Sequence, residues 1–256
     1  MSVLGVLVCE VLELEFAHLL ATDREIARVT VVEDLRSARL LDALRRETCT
    51  DLVTIPRLDD FSRESGPGIE VLVQVQDLAL HVRPKGLQEG LTAAASCMGP
   101  LVDVLFLGYG LCGNALEKPE ELLVDAGVPI VIPMDEDHPV DDCVGMIIGG
   151  RQAYFGEQCK IAGTYFMTPG WTFHWKRIFD KECGDISLDL ARELFTHYKR
   201  SLLISTPIMQ IEEMEQNAAE FNQMFDCQSE VREGTSRILD DAWILAKQRV
   251  AGTGSG

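Results

Sequence analysis

The chain has 256 residues, 46% of them apolar, and is therefore long enough to bury a complete core in one or two domains. Its 41 acidic residues outnumber its 23 basic residues and give a formal net charge of −18. Such a field repels nucleic acid and anionic membranes, and we expect neither as a partner. The absence of an apolar stretch of about 18 residues and of a signal-peptide pattern predicts a cytoplasmic protein.

Short apolar runs alternate with amphipathic stretches over the first 150 residues. The predicted strands are 3–8, 28–33, 69–75, 102–107, 129–133 and 144–148, and the predicted helices are 12–20, 37–46 and 87–98. This alternation is typical of an α/β fold with a mostly parallel central sheet and helices on both faces.

The second part of the chain has a different rhythm. An aromatic segment, 154–175, interrupts the alternation, and from residue 187 onward the pattern is predominantly helical, with a last helix over 236–250. Because no linker divides the chain, we predict a single α/β domain over 1–250. Residues 251–256 have the Gly, Ser and Thr composition of a flexible tail, which is also typical of an added linker.

The glycine-rich sequence 108–114 follows a predicted strand directly. It places Cys112 and Asn114 on a loop at the carboxyl edge of the sheet, where open α/β folds bind ligands. The spacing Gly108-x-Gly110-x-x-Gly113 also matches a dinucleotide-binding loop, but a lone match of this kind is weak evidence.

Two further cysteines occupy comparable positions. Cys9 ends the first predicted strand, and Cys143 follows the strand predicted over 129–133 and an acidic segment. Because parallel strands end at one edge of a sheet, we expect the thiols of Cys9, Cys112 and Cys143 to meet there. Three thiolates would leave the fourth position of Zn²⁺ open, and would equally suit a [4Fe–4S] cluster with one differentiated iron. Three buried core cysteines are the simpler alternative.

Two other kinds of site remain open. The acidic segment 135–142 around His138 would suit a hard cation such as Mg²⁺, although we favour a solvated loop. A metal-free cysteine nucleophile would need a base, for which His81 and His138 are the candidates. The acids beside Cys143 would raise its pKa unless a metal compensated, which disfavours Cys143 as a free nucleophile.

Several of these segments together resemble DUF1638, a family of unknown function from anaerobic archaea and bacteria. The resemblance extends to about Ala246, and its specific part is the sequence 108–114. Histidine is the residue that the family favours at the position of Asp141, so a site that used it would be altered here. The matching segments are Cys9 with Leu12 and Glu15, Leu80-His81 with Pro84, 108–114, Asp142-Cys143 with 147–154, 163–165, and 168–171.

The resemblance implies an α/β fold and a cytoplasmic role in anaerobic one-carbon metabolism, because genes of this family often lie beside corrinoid-dependent methyltransferase genes. A corrinoid is implied only by that association, since the sequence lacks the Asp-x-His-x-x-Gly signature of cobalamin-binding proteins. The implied partners are a small-molecule substrate and a corrinoid protein or methyltransferase.

From these observations we predict a metal-thiolate protein that acts as an enzyme, such as a methyltransferase or lyase, or as an accessory factor. Its ligands are Cys9, Cys112 and Cys143, holding Zn²⁺ or a [4Fe–4S] cluster. We assign Asn114 and Asp142, with Cys112, to the catalytic group. The side chains predicted to wall a substrate pocket are Tyr109, Tyr154 and Trp171.

Two alternative functions remain. A non-catalytic protein would dock on a corrinoid protein or methyltransferase, and the apolar face of the helix 211–225 would then have to be exposed. A metal-free cysteine enzyme would carry one reactive thiol, and alkylation would modify Cys112 fastest because of its position on a loop.

Overall fold

The computed structural model describes residues 1–47, 51–78, 84–113, 115–116, 118–184 and 186–253, apart from the side chains of 182, 188 and 253. Its strands are β1 (Ser2–Cys9), β2 (Ile26–Val32), β3 (Leu52–Ile55), β4 (Ile69–Gln76), β5 (Val104–Gly108), β6 (Ile130–Val131), β7 (Met134–Asp135), β8 (His138–Pro139), β9 (Thr164–Met167), β10 (Arg200–Ser205) and β11 (Gln228–Glu233). Its α-helices are α1 (Glu13–Thr22), α2 (Ala38–Arg46), α3 (Pro84–Met98), α4 (Pro119–Leu122), α5 (Cys143–Ile148), α6 (Arg151–Lys160), α7 (Pro169–Cys183), α8 (Leu188–Phe195), α9 (Ile211–Phe225) and α10 (Arg237–Thr253).

The central sheet has six parallel strands in the order β3-β2-β4-β1-β5-β6. β1 lies between β4 and β5 and is buried from Val3 to Cys9. A strand that is covered on both faces is apolar at every position, which explains why the first strand shows no alternation of polar and apolar residues.

Neighbouring side chains of β5 show that helices cover both faces of this sheet. The ring of Phe106 packs edge-on against Phe16 of α1 and Trp243 of α10. Leu105 points the opposite way, toward Gly5 and the end of α3 at Met98. The α/β fold class and its helical C-terminal region are thus confirmed.

A second parallel sheet, in the order β11-β10-β9, accompanies the last four helices. Helices α7, α8 and α9 pack on it through a cluster of aromatic rings. The members of that cluster are Tyr165, Phe179, Phe195, Phe221 and Phe225. Helix α10 then returns to the first sheet.

Several sequence-based boundaries are wrong. The run 144–148 was predicted as a strand but forms α5, and the region after 187, predicted as helical, also contains β10 and β11. The segment 154–175 contains β9, and β3 was not predicted. Helix α10 continues to Thr253, so the first residues assigned to the tail are helical.

The apolar face of α9 is core. Met214, Ala218 and Phe221 are buried, and only Ile211, at the first turn, is 41% exposed. This face is therefore not the docking surface that a non-catalytic binding protein would have presented there. Nowhere in the described residues is a helix both long enough and apolar enough to cross a bilayer.

Arg200 on β10 supplies a test of the second sheet. Its side chain is 4% exposed and bonds Glu157 at 3.2 Å, Glu230 at 2.6 Å and Thr164 at 3.1 Å. Arg200→Met removes the donor to Thr164 and Glu230 and one of the three cations that pair with Glu157, so the free energy of unfolding should fall by about 3 kcal/mol in urea titrations. Arg237→Met, at an exposed pair with Asp241, should change it by less than about 0.5 kcal/mol. Equal losses would show that the buried cluster has no special weight.

Candidate functional site

Cys9 and Cys112 follow adjacent strands of the central sheet. Cys9 is the last residue of β1, and Cys112 lies four residues beyond the end of β5. Cys112 has φ +47°, in the left-handed region that a residue with a Cβ adopts at a cost of about 1–2 kcal/mol. Strain of this kind at a loop cysteine is typical of a functional position.

Cys143 reaches the same edge by a different route. The carbonyls of Val140 and Asp141 accept the N–H groups of Leu111 and Cys112, both at 2.8 Å. A Cβ at Gly110 would lie 2.6 Å from the Cα of Asp142, so only glycine permits this approach. Asp142 then caps α5 by accepting the Gly145 N–H at 2.6 Å, which places Cys143 at the start of the helix.

The three thiols converge. Cys9 is 4% and Cys143 is 8% exposed, whereas Cys112 is half-buried. The pKa of the Cys143 thiol is raised well above its usual value, first by hydrogen bonding with the Cys112 thiol, then by hydrogen bonding with Cys9, and then by burial. The main cause is therefore the other cysteines rather than the acidic neighbours that the sequence indicated. A negative charge on one sulfur opposes a charge on the others.

Tyr109 faces the same cluster. Its side chain is 1% exposed, and its hydroxyl oxygen has no hydrogen-bond partner of good geometry. Burial raises the pKa of Tyr109 well above its usual value, and Cys9, Cys112 and Cys143 add to the rise. Cys9 is close enough to contribute to that rise as a hydrogen-bonding neighbour as well. A buried hydroxyl without a good partner is costly and indicates a place where a ligand atom would fit.

A cavity of about 440 Å³ joins these side chains. No lysine, arginine or histidine is among the described residues of its wall. Trp171 lies in the first turn of α7. This turn can approach the residues after Cys9 because Gly170 has no side chain, since a Cβ there would lie only 1.9 Å from the Val11 carbonyl oxygen. The lining residues are Cys9, Val11, Leu78, Pro84, Tyr109, Cys112, Gly113, Asp142, Cys143, Val144 and Trp171.

The other predicted site residues differ in their position relative to the cavity. Tyr154, expected in the pocket wall, is not among the described lining residues, because its ring stacks on Phe166 at 4.3 Å. Asp142 lines the cavity, and burial raises the pKa of its carboxyl group. Asn114 and His81 lie outside the described residues.

The acidic segment is held by arginine. Asp135 accepts the backbone N–H of Arg151 at 2.8 Å, and the Arg151 guanidinium pairs with Asp137 at 2.9 Å. His138 interacts with the carbonyl of Pro139. These contacts give the segment a structural explanation.

The spacing Gly108-x-Gly110-x-x-Gly113 does not open a helix, as a dinucleotide-binding loop would, since the next described helix begins at Pro119.

Over the described ranges, no group of three or more Cys, His, Asp or Glu side chains has an arrangement that would hold a metal ion as placed. The three thiols therefore share one cavity wall without forming a finished ligand set. Their assignment as a ligand set stays a prediction.

Buried acids beside the cluster were missed in the sequence. Glu10 pairs with Arg177 of α7 at 2.5 and 3.1 Å, and Glu13 bonds Arg39 at 3.0 Å and His174 at 2.9 Å. Acids directly after a strand, within apolar sequence, were the signal that could have revealed them.

The contact between Gly110 and Asp142 can be tested by adding one methyl group. Gly110→Ala should push residues 140–142 away, destabilise the protein by about 1–3 kcal/mol and speed the labelling of Cys143 by a thiol reagent. Gly156→Ala is the matched control, because its Cβ meets nothing within 4 Å and α6 should gain up to about 1 kcal/mol. Urea unfolding and mass spectrometry of labelled peptides measure both effects. Slow labelling of Cys143 in Gly110→Ala would contradict the packing argument.

The family model described as "Protein of unknown function (DUF1638)" matches residues 75–243. This range includes Cys112 and Cys143, whereas Cys9 precedes it. No curated protein and no solved structure matches the chain.

Proposed function

The chain belongs to the DUF1638 family, and we propose that it is a metal-thiolate protein in which Cys9, Cys112 and Cys143 bind one metal ion. The observation that supports this proposal is the meeting of three thiols at a cavity whose described wall has no basic side chain. Each thiolate in such a cluster disfavours the next, and a divalent cation removes that penalty.

The contacts between the sulfurs favour a single ion over a cluster. Four-coordinate zinc with thiolate bonds of about 2.3 Å sets its sulfurs roughly 3.8 Å apart, whereas a cubane spreads them to roughly 6–7 Å. The thiols of Cys9 and Cys112 both act on the pKa of the Cys143 thiol, so the three lie near one another, which agrees better with the shorter spacing. Binding would require the thiols to lose their protons and to move into a ligand arrangement that they do not have as placed. Zn²⁺ is thus our first choice, and a [4Fe–4S] cluster the second.

Cys9, Cys112 and Cys143 would hold the ion at the wall of the cavity. The ion would supply Lewis acidity, which lowers the pKa of a thiol that it binds. Tyr109 would donate its free hydroxyl to the substrate, and Trp171 and Leu78 would enclose its apolar part. A cavity of about 440 Å³ suits a small molecule.

The biological setting of the proposal comes from the family association alone. We propose a cytoplasmic enzyme of methyl metabolism, a methyltransferase or lyase, or an accessory factor that works with a corrinoid protein or a methyltransferase. The corrinoid itself would belong to that partner.

Metal content is the direct test. Anaerobically purified protein, analysed for metals and acid-labile sulfide, should contain about one zinc ion per chain and no sulfide. Each of the substitutions Cys9→Ser, Cys112→Ser and Cys143→Ser should abolish the stoichiometric binding of zinc. Cys97→Ser and Cys159→Ser, at exposed positions, are the matched controls and should leave it unchanged.

Other metal analyses would lead to other conclusions. A content of about four iron and four sulfide ions per chain would show that the protein holds a [4Fe–4S] cluster rather than zinc. Protein that binds neither metal after reconstitution with zinc or with iron and sulfide would reject the proposal.

Alkylation separates a shared metal from a lone nucleophile. In zinc-loaded protein, Cys9, Cys112 and Cys143 should react with iodoacetamide together and only after a chelator is added, whereas Cys97 and Cys159 should react at once. Peptide mass spectrometry over a time course measures each thiol. Rapid modification of Cys112 alone, unaffected by the chelator, would instead identify a metal-free cysteine enzyme.

A further inference from the structure

A second cavity, of about 900 Å³, lies at the carboxyl ends of β10 and β11. Ser205 and Glu233, the last residues of these strands, line it, and the opposite wall is one face of α1. The carboxyl edge of a parallel sheet is the usual ligand position in α/β folds. This cavity shares none of its described lining residues with the cysteine cavity.

Glu15 is the unusual group in this wall. It lies on the face of α1 that also presents His18, Leu19 and Thr22 to the cavity, at the spacing of one helix face. Its side chain is 6% exposed, and no other described residue donates a hydrogen bond to either carboxyl oxygen. The hydroxyl of Thr206, in the same wall, also lacks a partner. Buried polar groups in this state have the hydrogen-bonding capacity that a ligand would use.

The charges of the wall indicate the sign of the ligand. Glu15, Glu233 and Asp240 line the cavity, and no lysine or arginine is among its described lining residues. Glu10 and Glu13, buried nearby in sequence, each pair with a cationic group of the protein. Of Glu10, Glu13 and Glu15, only Glu15 has no ion pair among the described residues. An anionic ligand would meet three carboxyl groups here, whereas a cationic ligand would supply the missing partner.

We propose that this cavity binds a primary organic ammonium ion whose charge pairs with Glu15. The oxygens of Glu15 are closed to solvent, so binding would turn this carboxylate toward the cavity, where it would accept N–H groups of the ion. Leu19, Ile147 and Leu239 provide an apolar wall for the attached carbon chain. This inference does not depend on the metal proposal.

The ionisation of Glu15 gives the binding a definite pH dependence. The pKa of Glu15 is raised to about 8, chiefly by burial and also by the charge of Glu13, while a hydrogen bond from its own backbone and the charge of Arg39 of α2 oppose the rise. His18 from the same helix, Glu233 of β11 and Asp240 of α10 also face the cavity. Below pH 8 the carboxyl group holds a proton that the ammonium ion must displace, so affinity rises with pH. Between pH 6.5 and 8.5 the gain should be about 20-fold, while the alkylamine stays protonated up to about pH 10.

The test uses three probes of one chain length, namely hexylammonium, 1-hexanol and hexanoate, in titration calorimetry at pH 8.5. Hexylammonium should bind at least about tenfold more tightly than the other two. Glu15→Gln, which mimics the protonated carboxyl group, should remove this advantage and leave 1-hexanol unchanged. Glu120→Gln, an exposed site with the same change of net charge, should alter none of the three.

A second measurement does not depend on a variant. Calorimetry of hexylammonium in buffers of different ionisation enthalpy at pH 7 should show release of about one proton per ligand bound. Preferred binding of hexanoate, equal binding of hexylammonium and 1-hexanol, or no binding of hexylammonium would each overturn the proposal. An unchanged zinc content of Glu15→Gln would show that the substitution has not disturbed the cysteine site.

Discussion

The contact of the Gly110 backbone with Asp142 is the constraint on which the cysteine site depends. It allows two backbone hydrogen bonds to join the loop after β5 to the segment before α5, and these bonds carry Cys143 to Cys112. A second close approach, of Gly170 to the Val11 carbonyl, brings the start of α7 against the turn that follows Cys9. The sheet alone would have brought together only the first two thiols, because Cys143 does not follow a strand of that sheet directly. Backbone packing without side chains, rather than strand order, completes the cavity.

Three acids follow Cys9 within six residues, and they differ in their ion-pair partners. Glu10 and Glu13 are buried with an arginine or histidine against each, so their charges also tie α7 and α2 to the segment behind the cysteine. Truncating one partner of such a pair leaves a buried charge and is strongly destabilising. Glu15 has no such partner among the described residues, and burial raises its pKa to about 8. The fold thus supplies cations to the first two of these buried acids and leaves the third beside a cavity.

The parallel sheet and the thiol edge could be predicted because both depend on local patterns. β1 and β5 are apolar runs ending at a cysteine or at glycines, and that pattern places a side chain on a loop. The run 144–148 was misassigned because so short a run of mostly apolar residues has no period that separates a strand from a helix, although Asp142 as a helix cap was visible. β11 is polar and exposed at an edge, and the sequence carried no signal for it. The lack of an ion pair at Glu15 could not be predicted from the sequence, because it depends on which side chains the other helices and strands place beside this residue.

The family match begins at residue 75, yet the chain before it cannot be separated from the site. β1 hydrogen-bonds to β4 on one side and β5 on the other, from Ser2–Cys9 against Ile69–Gln76 and from Leu4–Val8 against Val104–Gly108. Without β1 the sheet would be divided at its centre, and β5, the strand that precedes the Cys112 loop, would have an open edge. β1 also supplies Cys9, and the residues that follow it supply walls to both cavities, Val11 to one and Glu15 to the other. The first 74 residues therefore share the central sheet with the matched segment, and both parts of the chain supply walls to each of the two cavities.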